Sequence, residues 1–174
     1  MAGDETSDMI EIERKYRLRA APSADALAAH GAVAKRIEQV YLAGAPAGRR
    51  LRRTELPDGE IRLVVTEKRR LADFTFHERE RVLDEGEYER LLGQADPAKA
   101  PIRKTRHVVP HGAQAIEIDV FESPVALVLL EVELRSADEP VTLPSWLGEW
   151  REVTGDRRYL NTNLARRDID IPPW

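Results

Sequence analysis

Acidic and basic residues in this chain recur in pairs two positions apart. Carboxylates stand at Glu11/Glu13, Glu78/Glu80, Glu117/Asp119 and Glu131/Glu133, and cations at Arg50/Arg52 and Lys104/Arg106. In a strand, residues two apart project from one face, so each pair arms one side of one strand. A lone pair of this kind is ordinarily a solvated face. Two late segments argue otherwise. In 127–134, Glu131 and Glu133 share a face with Leu127 and Leu129, while the other face is Val128, Leu130, Val132 and Leu134. In 114–121, Glu117 and Asp119 share a face with Ala115 and Phe121, opposite Ile116, Ile118 and Val120. Strands with two apolar faces are covered on both sides. Acids set into them must be paired or bind a cation.

Acids and bases that converge on one enclosed space suit a particular chemistry. Carboxylate oxygens are the ligands that Mg²⁺ and Mn²⁺ prefer, with substrate phosphates completing the shell. Arginine and lysine neutralise phosphate oxygens, arginine bidentately. Phosphoryl transfer asks a protein mainly for positioning and charge stabilisation, so no cysteine or serine nucleophile is required. A cavity with one acidic and one basic wall would hold a metal-bound polyphosphate. The competing reading is a set of internal salt bridges bracing a barrel, a poor way to gain stability. Lys15 continues the face of Glu11 and Glu13, and Lys68 shares one with Thr66 and Arg62. Tyr41, one strand on from Lys15, either handles protons with that lysine or only hydrogen-bonds as a lining residue. The residues leave both open.

The elements that must position these groups read as strands over 9–18, 35–42, 49–54, 60–68, 74–83, 102–109, 114–121 and 126–135. Leu56-Pro57-Asp58-Gly59 is strong turn chemistry between two of them. Ser23 caps a short helix to Ala29. Asp84, with Glu87 in capping-box position, starts another to about Gln94. Residues 69–73 read as a basic loop, 140–148 as a loop carrying Trp146, and 156–167 as a helix. About eight strands, many in hairpins, predict a mainly β (α+β) chain closed as an antiparallel barrel, which also removes exposed sheet edges.

Length and composition bound the rest. The 174 residues predict one domain over 9–174 behind a flexible tail over 1–8. Charged residues make up 33% of the chain, above a typical ~25%, and this excess needs a location. The net charge of −4 offers no overall basic field, so no DNA partner is expected. With no cysteine, disulfides, thiolate nucleophiles and Cys-based zinc sites are excluded. No signal-like or membrane-length apolar run occurs, which predicts a cytoplasmic protein without a membrane partner. His30, His77, His107 and His111 are scattered, and Trp146, Trp150 and Trp174 read as packing anchors.

Glu11-Ile12-Glu13-Arg14-Lys15 is the E-x-E-x-K signature, and the chain resembles the CYTH superfamily of triphosphate tunnel metalloenzymes. The order of the other motifs carries the resemblance from about Met9 to Ala165. Gln39-Val40-Tyr41-Leu42 resembles the family's second strand, Arg50-Leu51-Arg52 its R-x-R strand and Thr66-Glu67-Lys68 its T-x-K strand. Glu78-Arg79-Glu80 resembles the central E-x-E strand and Lys104-Thr105-Arg106 the K-x-R strand. Glu117-Ile118-Asp119 and Glu131-Val132-Glu133 resemble the late acidic strands. Asp156-Arg157-Arg158-Tyr159, with Asn161 and Leu164, resembles the C-terminal helix motif. Arg69-Arg70 departs from the glycine often found in relatives.

The resemblance implies an eight-stranded antiparallel tunnel, a divalent metal (Mg²⁺ or Mn²⁺) and a triphosphate substrate. It implies metal ligands at Glu11, Glu13, Glu117, Asp119, Glu131 and Glu133, and substrate contacts from Lys15, Arg50, Arg52, Lys68, Lys104, Arg106 and Arg157. Lys15, Tyr41, Glu78 and Glu80 would serve catalysis. Metal-dependent hydrolysis of inorganic triphosphate leads. Adenylate cyclase and thiamine triphosphatase are the enzymatic alternatives, and a polyphosphate-binding module is the non-enzymatic one. A tunnel wall could also pair two copies as a homodimer.

Overall fold

Alternating polarity along the strands gives this chain two incompatible faces, and closure separates them. The computed structural model describes residues 6–44, 46 and 48–174. Its strands are β1 (Thr6–Leu18), β2 (Val33–Tyr41), β3 (Arg50–Glu55), β4 (Ile61–Ala72), β5 (Thr75–Val82), β6 (Ile102–His111), β7 (Gln114–Ser123), β8 (Leu127–Leu134) and the short β9 (Trp150–Glu152). Helices α1 (Ala24–Ala29), α2 (Glu85–Leu92) and α3 (Asn161–Leu164) are short, as are two 3₁₀ turns, Ser145–Leu147 and Arg157–Tyr159.

The first eight strands form one antiparallel ring in the order β1-β5-β4-β3-β2-β6-β7-β8, returning to β1. Closure rests on β1, whose first half (Thr6 to Ile12) pairs with β5 and whose second half (Ile12 to Leu18) pairs with β8. Strand β9 takes up Tyr16 to Leu18 where β5 has ended. The expected closed barrel with few peripheral helices is the observed architecture.

Most of the apolar core lies outside the ring. Tyr16, Leu18, Ile116, Ile118, Leu130 and Val132, from the outer faces of β1, β7 and β8, pack with Leu27 of α1 and with Leu147. Leu51 and Val65 of β3 and β4 pack with Tyr88 and Leu91 of α2. A third cluster fills one end of the barrel. There Ile102, Phe121, Leu127 and Leu129 point inward and meet Val153, Tyr159, Leu164 and Ala165 of the C-terminal segment. That segment closes the end. Among the described residues no helix is long and apolar enough to cross a membrane.

Local signals account for most boundaries. The Ser23 hydroxyl accepts from the Ala26 amide, and Asp84 accepts from the Glu87 amide at 2.8 Å. Glu87 does not complete a capping box with its own side chain. Its carboxylate takes both Arg81 Nη atoms at 2.8 and 2.6 Å. Gly59, at φ +88°, closes the β3–β4 turn.

Several boundaries differ from expectation. β1 begins at Thr6, so residues 6–8 of the expected tail are paired with β5, while residues 1–5 lie outside the described residues. The basic loop over 69–73 is mostly strand, because β4 runs on to Ala72 and pairs with β5 past a bulge between Arg70 and Ala72. The helix over 156–167 is instead a 3₁₀ turn followed by α3, interrupted at Leu160, whose ψ of 133° is extended.

Candidate active site

The inward faces of the eight strands enclose a cavity of about 320 Å³. Strand parity decides what lines it. From β1 come Ser7, Met9, Glu11, Glu13 and Lys15. The β2–β3 side supplies Tyr41, Arg50 and Arg52, and the β4–β5 side supplies Lys68, Arg70, Phe76, Glu78 and Glu80. Strands β6, β7 and β8 add Arg106, Glu117, Glu131 and Glu133, and Leu160, Asn161 and Thr162 face it from the closed end. Among the described residues, seven carboxylates and six cations therefore share one space. Gly48, at φ +88°, also lines it. A Cβ there would stand 3.0 Å from the Lys68 carbonyl, so the loop passes β4 at this point only as glycine.

The charges are cross-linked between walls. Lys15 Nζ lies 2.8 Å from Glu131 and 3.6 Å from Glu13, and donates to the Tyr159 carbonyl of the C-terminal segment at 3.4 Å. Lys68 pairs with Glu11, and lies 3.4 Å from Glu13 and 3.6 Å from Glu78. Arg50 reaches Glu78 at 3.3 Å and Arg52 reaches Glu80 at 3.4 Å, with the Thr66 hydroxyl also donating to Glu80. Arg106 spans three carboxylates: Glu117, Asp119 at 2.7 Å and Glu131 at 2.8 Å.

Burial and these partners set the protonation states. Burial alone would lower Lys15, but Glu131 and Glu13 outweigh it and hold the ammonium above its ordinary value. Burial likewise opposes ionisation of Glu131, yet Lys15 and Arg106 keep it well below the usual carboxylate range. Glu78 is held low against burial by Arg50 and Lys68. Glu11 goes the other way: burial pushes it up to about 7 in spite of Lys68, with Glu13 and Glu78 adding repulsion. Burial raises the Tyr41 hydroxyl, which keeps its proton at neutral pH.

Most of the site residues expected from sequence line this cavity; Lys104, Asp119 and Arg157 do not. Lys104 and Asp119 face inward but lie below the lining, paired at 2.5 Å and 3% and 0% exposed. Arg157 is exposed on its 3₁₀ turn, where its carbonyl accepts from Asn163 Nδ2 at 2.6 Å. Arg70 lines the cavity without having been singled out for it, and its guanidinium is held by Asp73 at 2.9 Å. Ser7, Met9 and Phe76 were also missed. The first two continue the parity of Glu11 and Glu13, Met9 within the expected first strand and Ser7 in the expected tail, so extending that parity finds them.

The acids of the cavity offer a donor set for a hard divalent cation. Among the described residues no three carboxylates already converge as a ligand group. Glu13 and Glu133 are register partners on β1 and β8, and Glu131 and Glu117 follow on β8 and β7. All offer oxygen, the donor that Mg²⁺ and Mn²⁺ take. Glu11 is under-compensated by Lys68, as its rise to about 7 shows. These acids fit a divalent cation once Lys68 and Arg106 are drawn away to another anion.

No protein-family model matches the chain. Over 89 residues it is 37% identical to the inorganic triphosphatase of Acetivibrio thermocellus, covering 47% of this chain and 56% of that protein. Over 76 residues it is 42% identical to the inorganic triphosphatase of Nitrosomonas europaea, covering 41% of this chain and 46% of that protein. The matches span about half the length of these curated relatives. A crystal structure of an inorganic triphosphatase superposes with a TM-score of 0.55 at 30% identity, over 93% of this chain and 99% of that one. A protein of Pyrococcus horikoshii shares the fold, with a TM-score of 0.52 at 22% identity over 74% of this chain and 80% of that one.

Proposed function

The chain belongs to the inorganic triphosphatase family of CYTH-type triphosphate tunnel enzymes, and on that premise we propose that it hydrolyses a triphosphate, inorganic triphosphate first, inside its charged barrel. The observation that carries this reading is the meeting, among the described residues, of seven carboxylates and six cations in one cavity closed at its far end. Such an interior is nearly neutral by itself. A triphosphate brings several negative charges, and its oxygens compete for Lys68, Arg50, Arg52 and Arg106 through charge-assisted bonds. Each cation it takes leaves a carboxylate exposed to its neighbours. A divalent cation, Mg²⁺ or Mn²⁺, when bound by Glu11, Glu13, Glu131 and Glu133, would neutralise those acids and polarise phosphoryl oxygens.

The protein's own groups then have separable tasks. Lys15, held protonated between Glu131 and Glu13, acts as a cation toward developing phosphoryl charge and not as a base. Tyr41 keeps its proton and so could donate a hydrogen bond to a phosphoryl oxygen. Glu78 and Glu80 serve catalysis by aiming Arg50 and Arg52 at the substrate. The closed end limits the water that reaches the phosphate chain.

The test is phosphate release from inorganic triphosphate, ATP and thiamine triphosphate, each with Mg²⁺ and with Mn²⁺. Fastest metal-dependent release from inorganic triphosphate is expected. Binding without release would leave a polyphosphate-binding module, and cyclic AMP from ATP would favour a cyclase.

A further inference from the structure

A neutral polar group, Gln39, lies beneath the basic wall without itself lining the cavity. Gln39 lies on β2 in register with Arg52 of β3 on one side and Ile102 of β6 on the other. Parity turns it inward with Tyr41, between the two basic strands. It is 0% exposed, yet neither its amide nitrogen nor its amide oxygen has a hydrogen-bond partner. The Nε atoms of Arg50 and Arg52 on the adjoining strand are likewise buried and unpartnered. Four unsatisfied polar atoms thus fall on the β2–β3 wall.

A folded chain rarely leaves such atoms unpaired, because a buried donor or acceptor without a partner costs more than a made bond gains. Nothing about the fold requires an amide here: Ile37, two residues earlier on the same face, is apolar and buried. A phosphoryl group supplies what the wall lacks. Its oxygens would accept from Gln39 Nε2 and from the arginine Nη groups. As Arg52 turns from Glu80 to the phosphate, its Nε–H, unpartnered in the free protein, would be brought to donate to Gln39 Oε1.

We propose that Gln39 Nε2, together with the Nη groups of Arg50 and Arg52, forms a phosphoryl-oxygen subsite beneath the β2–β3 wall, with Gln39 Oε1 taking the Arg52 Nε–H. The unsatisfied state of the Gln39 amide and the Arg52 Nε in the free protein is exchanged for binding of the triphosphate. The proposal rests on the triphosphatase reading above.

Gln39→Leu is the test, because leucine fills similar space without polar atoms. The free variant should melt a few degrees above the wild type, while KM for inorganic triphosphate rises roughly tenfold with kcat little changed. The rise in melting temperature given by Mg²⁺ and triphosphate should shrink correspondingly. Gln39→Glu should also stabilise the free protein, by pairing with Arg52, and should weaken binding more than leucine does. A free Gln39→Leu protein that melts below the wild type overturns the proposal whatever its kinetics, since the amide would then be structural. An unchanged KM and ligand-induced shift overturn it too, with the function intact. If triphosphate neither stabilises the wild type nor is hydrolysed by it, the proposed function falls and the subsite with it.

Discussion

At the scale of single residues, the interior is an exercise in sharing charge. Asp119 serves both Lys104 and Arg106, and Arg106 repels the lysine it sits beside. Burial therefore wins at Lys104 and pushes it down to about 8, against an ordinary lysine near 10.5. The sign of the linkage follows. Between those two values the unfolded chain holds a proton that the folded chain has released, so stability rises with pH across that window. The full effect is about 3 kcal/mol. Urea unfolding of the wild type and of Lys104→Met from pH 7.5 to 10 should show the rise only in the wild type; parallel curves would mean that Lys104 titrates normally. Glu11 is the second residue to test. Glu11→Gln removes an under-compensated carboxylate proposed to bind the cation, so the variant should fold and need much more Mg²⁺ for activity. Wild-type turnover at low Mg²⁺ in that variant would remove Glu11 from the cation site.

At the scale of elements, the C-terminal segment does two jobs. Leu164, Tyr159 and Ala165 fill one end of the barrel, and the Tyr159 carbonyl accepts from Lys15 Nζ at 3.4 Å. The Tyr159 hydroxyl is in turn held by Arg17 and Arg151, both of which stack on Trp174. Leu164→Ala should therefore cost about 2–5 kcal/mol of stability. By loosening Lys15 it should also lower kcat, measured well below the variant's melting temperature; a stability loss with unchanged kcat would confine the segment to packing. The same segment marks the limit of what the sequence discloses. The paired acids and bases were legible because side-chain parity is a local property of two-residue spacing; it gave the strand faces of Glu11, Arg50, Lys68, Glu80 and Glu131, and closure of the barrel brings those faces to one interior. Parity gives a face but not a depth. Lys104 and Asp119 have the right face, and only the three-dimensional closure of the barrel puts them beneath the lining. Residues 156–167 carried a helical pattern that the extended Leu160 interrupts, and β9 is too short to leave a periodic signal. Gln39 drew no attention as a site because it has no charge, and its lack of partners is visible only in the folded chain.

At the scale of the whole molecule, the usual arrangement is inverted. Two of the three apolar clusters lie outside the ring, under α1 and α2, and the ring's interior is charged. The outer clusters therefore supply the stability that interior ion pairs do not, since desolvation offsets most of what such pairs gain. Ligand and cation should then act as missing parts of the fold. At a hundred times its dissociation constant, a ligand that binds only the folded state adds about 2.7 kcal/mol. For a domain of this size each kcal/mol moves the melting temperature by about 2–4 °C, so Mg²⁺ with triphosphate should raise it by roughly 5–11 °C. Arg52→Ala removes one cation from the basic wall and leaves Glu80 held by the Thr66 hydroxyl alone among the contacts described above. A charge-assisted bond to phosphate contributes about 1.5–3 kcal/mol, so the variant should bind triphosphate about ten- to a hundredfold more weakly. At equal ligand concentration its melting temperature should then rise much less than that of the wild type. Thermal unfolding of both proteins, with and without Mg²⁺ and triphosphate, measures the difference. An Arg52→Ala protein stabilised as much as the wild type, with unchanged kinetics, would take Arg52 out of the site and leave the basic wall without its central member.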